Sequence, residues 1–288
     1  MSVLYDIPGP QARRRILIGS LIAGVVVLAV LVVVILRLAE QEQFTAEKWG
    51  PLLDPTTEEF PLVWQRIGLG LQATLAAAAL AVVFSLVVGT LLAVTRIVSA
   101  PWYRWLVVGV VELLRGLPVV VTIFFAARAL PALGIDLPTL AYLVIGLTLY
   151  NSVIIAEIVR AGVASLPRGQ AEAAAAVGMT RGQSLRLIQL PQAFRVMLPA
   201  LISQLVVVLK DTALGFIILY PELLRTAQII VQTTKNPLQM FFVVAVIFII
   251  INYALSRLAT YVEKRLSRSR TTPDGAAPAP VVQEGAVV

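Results

Sequence analysis

Few residues in this chain are equipped for chemistry, and several of them sit inside long apolar runs: Thr74, Arg115, Asn151, Glu157, Arg160, Lys210, Asp211 and Thr212. An ionisable group within a membrane span is costly, which makes each a functional candidate by default. The chemistry on offer is recognition of charge and hydrogen-bonding groups. Lys210 and Asp211 supply opposite charges, and Thr74, Asn151 and Thr212 supply neutral donors and acceptors. Covalent and metal chemistry lack their usual tools, because the chain contains no cysteine and no histidine. Disulfides, thiolate nucleophiles and the common zinc sites are excluded, and no metal site is expected. No Gly-Lys pair occurs, so the chain cannot build a Walker A loop of its own.

Along helices rising 1.5 Å per residue, Arg115 lies about 16 Å into its span, Asn151 about 15 Å from a helix end, and Lys210 and Asp211 about 21 Å into theirs. All four are expected near mid-membrane depth, where they can converge on one polar site. Adjacent on a helix, Lys210 and Asp211 point about 100° apart and are expected to find partners on neighbouring helices. A structural polar network and a ligand site both remain open for them. Arg115 precedes Gly116 and Pro118, a helix-breaking set that frees backbone groups for Arg115 to satisfy. Glu157 and Arg160, three residues apart, are expected to form a local ion pair. Thr74 can serve a substrate or bond its own backbone.

The elements that must hold these residues follow from composition. With 59% hydrophobic and 14% charged residues, the chain reads as an all-α integral membrane protein. A bilayer core of about 30 Å takes roughly 20 apolar residues per helix. Six segments qualify, at about 16–38, 67–94, 105–130, 139–161, 196–220 and 238–260. None alternates as a membrane strand does. Arg13–Arg15 resemble a signal-peptide start, but the apolar run from Ile16 to Leu36 is too long, so it is expected to be a first transmembrane helix.

The net charge of +7 is spread over the loops rather than gathered on one face, which favours a membrane over nucleic acid as partner. With the N-terminus inside, fifteen Lys and Arg residues fall in the cytoplasm and six outside. Both termini are then cytoplasmic, in a multi-pass protein of the cytoplasmic membrane. Residues 1–15 form a cytoplasmic N-terminus, 39–66 an acidic extracytoplasmic loop fit either to dock a partner or to stay solvated, and 263–288 a disordered cytoplasmic tail. Trp64, Trp102, Tyr103 and Trp105 suit the aromatic belts.

One polar stretch stands apart, about 167–192. Ala171 to Val177 favours helix, Gly178 suits a left-handed stop, Thr180 and Gln183 form a capping box, and Pro191 closes or starts a helix. This predicts a compact helix-turn-helix outside the lipid, between the fourth and fifth spans. Glu172, Ala173, Ala174, Gly178, Ile188, Leu190 and Pro191 match without a gap the pattern of the EAA loop of binding-protein-dependent ABC importers, which this stretch closely resembles. Residues 67–262 extend the likeness to the polar amino acid permeases of that class, through Gly70, Thr74 and Leu75; Arg115, Gly116 and Pro118; Glu157, Ile158, Arg160 and Gly162; and Lys210, Asp211, Thr212 and Leu214. Leu117, Ala161 and Ala213 depart from the family pattern. So do Val153 and Ile154, where many members have Ala-Tyr. Within the family the chain looks most like the glutamate-system permeases of actinobacteria.

The resemblance implies a non-catalytic permease subunit that works by alternating access. Its EAA loop serves as a coupling helix on a separate ATPase subunit pair. ATP and Mg would bind that partner, and this chain would bind no cofactor. A second permease subunit and an extracytoplasmic amino-acid-binding protein complete the assembly. A side-chain carboxylate on the substrate would find its counter-charge in Lys210, which points to glutamate; glutamine, aspartate and basic amino acids stand as alternatives. An ion-coupled secondary transporter using Asp211 or Glu157 is the competing reading, but it leaves the EAA spacing unexplained and no inverted repeat supports it.

Overall fold

The structure, a computed structural model, describes residues 9–98 and 101–267, and among these it is helical with no strand. Eleven α-helices follow one another: α1 (Pro10–Glu40), α2 (Ala46–Leu53), α3 (Phe60–Val98), α4 (Pro101–Gly116), α5 (Val119–Ala132), α6 (Thr139–Ala164), α7 (Arg168–Ala176), α8 (Arg181–Ser184), α9 (Leu190–Asp211), α10 (Leu223–Thr234) and α11 (Pro237–Ser267). A π-helical turn, Leu185–Gln189, joins α8 to α9, and a 3-10 helix, Thr212–Ile218, extends α9.

Among the described residues, five helical segments are long and apolar enough to cross a membrane. The sixth expected span, 105–130, is not a single straight helix: α4 and α5 meet at 104°. Pro118 is the cause. It caps α5 in extended conformation at ψ 140, it has no N–H to continue α4, and its ring disfavours helix at Leu117. The boundaries also move. α3 starts seven residues before its expected position, and the 39–66 loop contains α2. α11 runs to Ser267, so 263–267 of the expected tail are helical, and the rest of the tail lies outside the described residues.

The described residues fall into two compact units, one within Met1–Leu69 and Thr226–Ala245, the other within Gly70–Arg225 and Val246–Val288. In the first, α1 has no buried residue, as suits a helix whose solvent is lipid on every side. α2 is held by side chains. Asn236 Nδ2 donates to the Lys48 carbonyl at 2.8 Å, Gln239 Nε2 donates to the Gln43 carbonyl, and Trp64 Nε1 donates to the Leu52 carbonyl at 3.0 Å. Trp49 meets Phe242 edge-on at 6.0 Å. Asp54 closes the following turn by accepting from the Thr56 N–H and hydroxyl, which hold its carboxyl below the usual range.

In the second unit the core is built where small residues let helices close. Ala77 and Ala81 of α3, Ile123 of α5, Leu143 and Leu147 of α6, and Val208 of α9 form one cluster. Ala93, Ile155, Val159, Met197 and Leu201 form another. A Cβ at Gly146 would stand 2.5 Å from Ile123 Cα, and one at Gly89 would stand 2.6 Å from the Ser152 carbonyl oxygen. These two glycines set the approach of α6 to α5 and α3.

Candidate functional site

The polar residues of the spans separate into two groups. The first lies where α6 meets α9. Asn151 is fully buried; its Nδ2 donates to the Leu147 carbonyl at 2.9 Å, and its Oδ1 accepts from Gln204 Nε2 at 2.7 Å. Asp211 sits beside Asn151, and its Oδ2 is buried without a hydrogen bond. An orphaned carboxylate oxygen in a low-dielectric interior calls for a cation or donor to complete it. Lys210, the next residue back, is exposed and supplies a cation on a different face of the helix. Gln204, two turns before Asp211, escaped the sequence reading; its spacing of seven from Asp211 on one helical face was the available signal.

Thr212 and Thr74 are placed otherwise than a substrate contact needs. The Thr212 hydroxyl donates to the Leu209 carbonyl at 2.6 Å. The Thr74 hydroxyl donates to Gly70 and accepts from the Leu223 N–H, both at 3.0 Å. Both side chains are fully buried, and Thr74 is spent on fastening the Tyr220–Leu223 corner to α3, alongside Tyr220, whose hydroxyl donates to the Ala73 carbonyl. Glu222 completes that corner. Its carboxylate accepts from the Leu224 and Arg225 N–H groups, each at 2.6 Å, and so caps α10. Burial pushes the Glu222 carboxyl up to about 7. An acidic residue directly before a helical run was its signal in the sequence.

The second group ties α3, α4 and α6. Arg96 pairs with Glu157 and stands 3.9 Å from Glu112; Arg160 Nε donates to Glu157 at 2.9 Å; Arg115 stands 3.7 Å from Glu112. The local Glu157–Arg160 pair is as the spacing implies. Arg115 is not: it lies with Glu112 on α4, and among the described residues it forms no bond to Asn151, to Asp211 or to the backbone freed at Gly116–Pro118. The break between α4 and α5 places it on another path from the one a straight span would give.

The third feature is the 168–192 stretch. α7 ends at Ala176 and is capped by Val177, and Gly178 turns left-handed at φ 78. The Gly178 N–H donates to the Ala175 carbonyl and the Met179 N–H to the Ala174 carbonyl, both at 3.0 Å. This double closure is a Schellman stop. Thr180 and Gln183 then exchange hydrogen bonds to start α8. Pro191 cannot donate to the carbonyl four residues back, and the chain takes the π turn just before it, in which the Leu190 N–H reaches the Leu185 carbonyl. Ala174 and Leu185 are buried in the angle between the helices, while Glu172, Ala173 and Gly178 are exposed and Ile188 and Leu190 are half-buried. Val177, at the bend, is 77% exposed. Among the described residues no three carboxylates gather to hold a metal.

The family described as binding-protein-dependent transport system inner membrane component matches residues 85–268. The glutamate transport system permease protein GluD of Corynebacterium glutamicum is 41% identical over 233 residues, covering 79% of this chain and 83% of that one. The probable glutamine ABC transporter permease protein GlnP of Bacillus subtilis is 35% identical over 211 residues, covering 72% and 95%. Among solved structures, an amino acid ABC transporter with histidines is 29% identical, with TM-score 0.65, and matches 73% of this chain and 99% of that one. A fold of apolar crossing helices, a polar pair buried between two of them and a capped helix-turn-helix at the end of one thus coincide with a family match over most of the chain, which belongs to the binding-protein-dependent inner membrane components, the permease subunits of ABC importers.

Proposed function

We propose that this chain is the pore-forming subunit of an importer for a polar amino acid, glutamate first, driven by ATP on a partner. The observation that carries the reading is the 168–192 stretch: the Glu172, Ala173, Ala174, Gly178, Ile188, Leu190, Pro191 spacing folds into a doubly capped, exposed helix-turn-helix with an apolar tip at Val177. Such a preorganised wedge seats in a groove on another protein with little ordering cost. On this reading the partner is an ATPase subunit, which holds ATP and Mg, and both termini and the wedge face the cytoplasm.

On the opposite side an extracytoplasmic binding protein delivers the amino acid, and a second permease subunit, identical or homologous, closes the pathway. The pathway site is built on Asn151, Lys210 and Asp211. The substrate ammonium completes the orphaned Asp211 Oδ2, and a side-chain carboxylate meets Lys210. ATP-driven closure of the ATPases moves the wedges and shifts the membrane subunits between outward-open and inward-open states, each favoured by different contacts.

The test is uptake of labelled glutamate by cells with and without this permease, competed by unlabelled glutamate, aspartate, glutamine and arginine. Loss of uptake on deletion, sensitive to ATP depletion and resistant to an uncoupler at constant ATP, is expected. Uptake that fails with the uncoupler alone would return the ion-coupled reading.

A further inference from the structure

We propose that a small cavity headed by Arg128 is a first capture site for the substrate's carboxylate on the outer side of the pathway. This rests on the orientation and acidic substrate proposed above. The cavity, about 250 Å³, lies between the end of α5, the start of α6 and the end of the 3-10 helix, lined by Phe124, Arg128, Thr139, Tyr142, Ile218 and Leu219. Its size is below the roughly 300–1,000 Å³ of drug-sized sites and suits a ligand of amino-acid size.

Arg128 is the charge of the cavity. Its guanidinium lies over the Phe124 ring, 5.4 Å from the centroid, and among the described residues it has no carboxylate partner. Asp136, in the nearby 135–137 loop, forms no ion pair with it. The stacking holds the fork in place without using its in-plane donors, which match a carboxylate two to two. Arg128 and Phe124 are exposed, so the fork is open to an arriving anion. Thr139 adds a hydroxyl that takes no hydrogen bond among the described residues. Tyr142 is committed to the scaffold: its hydroxyl accepts from the Leu137 N–H at 2.7 Å and donates to the Ile135 carbonyl at 3.2 Å. This braces the loop that frames the cavity.

The position gives the site its role. The 3-10 helix Thr212–Ile218 starts at the Lys210, Asp211 and Thr212 group and ends at the cavity rim, where Leu219 is left-handed at φ 62 and 65% exposed. Six steps of about 2.0 Å separate its ends by roughly 12 Å. The rim at which Arg128 stands and the Lys210 group thus lie at opposite ends of one short helix. Two cations in series let an acidic amino acid exchange one counter-charge for the next, so that neither needs to bind it tightly. A lipid phosphate offers the same chemistry to Arg128 and is the competing source of the anion.

The chain has no cysteine, so Leu219→Cys in the assembled transporter in proteoliposomes gives it a single thiol, and labelling read on this chain, separated from its partners, reports on the rim. The anionic thiol reagent methanethiosulfonate ethylsulfonate is expected to label it about tenfold faster than its cationic trimethylammonium counterpart. That bias should vanish with Arg128→Gln and return with Arg128→Lys. Glutamate, with two carboxylates and a net negative charge, should slow labelling more than glutamine, whose one carboxylate is offset by its ammonium, and replacing neutral lipid by phosphatidylglycerol should change neither result. A bias that survives Arg128→Gln overturns the proposal, as does protection by phosphatidylglycerol without protection by glutamate. Glutamate protection in a complex that imports no glutamate would keep the capture site and overturn the transport reading.

Discussion

The guanidinium of Arg96, in the last turn of α3, is ion-paired with the carboxylate of Glu157 on α6. Both side chains are largely shielded, at 18% and 25% exposure, so breaking the pair strands a charge in a poorly solvated place. Losing one partner of a fully buried pair costs about 3–5 kcal/mol. Arg160 still holds Glu157 here, so Arg96→Gln is expected to cost about 1–3 kcal/mol, read as a lower melting temperature of the purified transporter. Arg96→Gln with Glu157→Gln should cost less than the two separately. Strict additivity would mean that the pair carries no coupling.

Gly146 and Gly68 form a contrast within the same membrane. A Cβ at Gly146 would strike the backbone of Ile123, whereas one at Gly68 meets nothing within 4 Å. Gly146→Ala is expected to force α5 from α6 and lower folded yield sharply. Gly68→Ala should gain up to about 1 kcal/mol of helix propensity. Similar melting temperatures for the two variants would contradict the close-approach argument.

The Gln204 amide donates to Asn151 at 2.7 Å, and Gln204→Leu leaves the Asn151 oxygen without that donor. A buried polar group stripped of its partner costs about 1–3 kcal/mol. Removing both, as Asn151→Leu with Gln204→Leu, should recover part of that stability, less the bond that Asn151 makes to Asp211, and is expected to abolish uptake. Recovery of uptake in the double variant would take Asn151 out of the pathway.

Gly178 holds the bend of the helix-turn-helix at φ 78, where a side chain costs about 1–2 kcal/mol. Gly178→Asp and Glu172→Lys are expected to abolish uptake while the subunit remains in the membrane at normal abundance. Immunodetection in membrane fractions, run beside the uptake assay, makes the check. Normal uptake in either variant argues against the wedge as the coupling element.

Glu222 predicts a pH dependence. Its carboxyl is raised from 4.5 to about 7 by burial, the two N–H bonds opposing that rise. Between these values the folded protein holds a proton that the unfolded chain has released, so stability falls as pH rises from about 4.5 to 7. The melting temperature should be higher at pH 5 than at pH 8 through this group, and Glu222→Gln should flatten that part of the profile. An unchanged profile would remove Glu222 as its source.

How far the sequence foretold all this differs by feature. The caps of the helix-turn-helix were legible, because Gly178, Thr180 and Gln183 act on their own neighbours, whereas the π turn at Leu185–Gln189 was not. The spans were legible as spans, since apolar length is local too. Where α4 turns was signalled by Gly116 and Pro118, but the angle was not, and with it went the placement of Arg115. The pairing of Gln204 with Asn151, 53 positions apart, and the use of the Thr74 hydroxyl by Leu223 depend on how helices meet, which periodicity does not encode. Glu112 stands one turn from Arg115, a spacing that carries an ion pair whatever the depth of the helix.

The π turn at Leu185–Gln189 has a consequence of phase. It takes in one residue more than an α-helical turn would, so everything before it is rotated relative to everything after it. Deleting a single residue there would close the turn to an α-helical one, short of the bond that Pro191 cannot give, and turn the 168–184 wedge about 100° around the axis of α9. Such a protein would fold, insert and carry all its motif residues, with its wedge facing the wrong way. The spacing from Gly178 to Pro191 is in this sense a clock setting, and Pro191 is the tooth that keeps it from slipping.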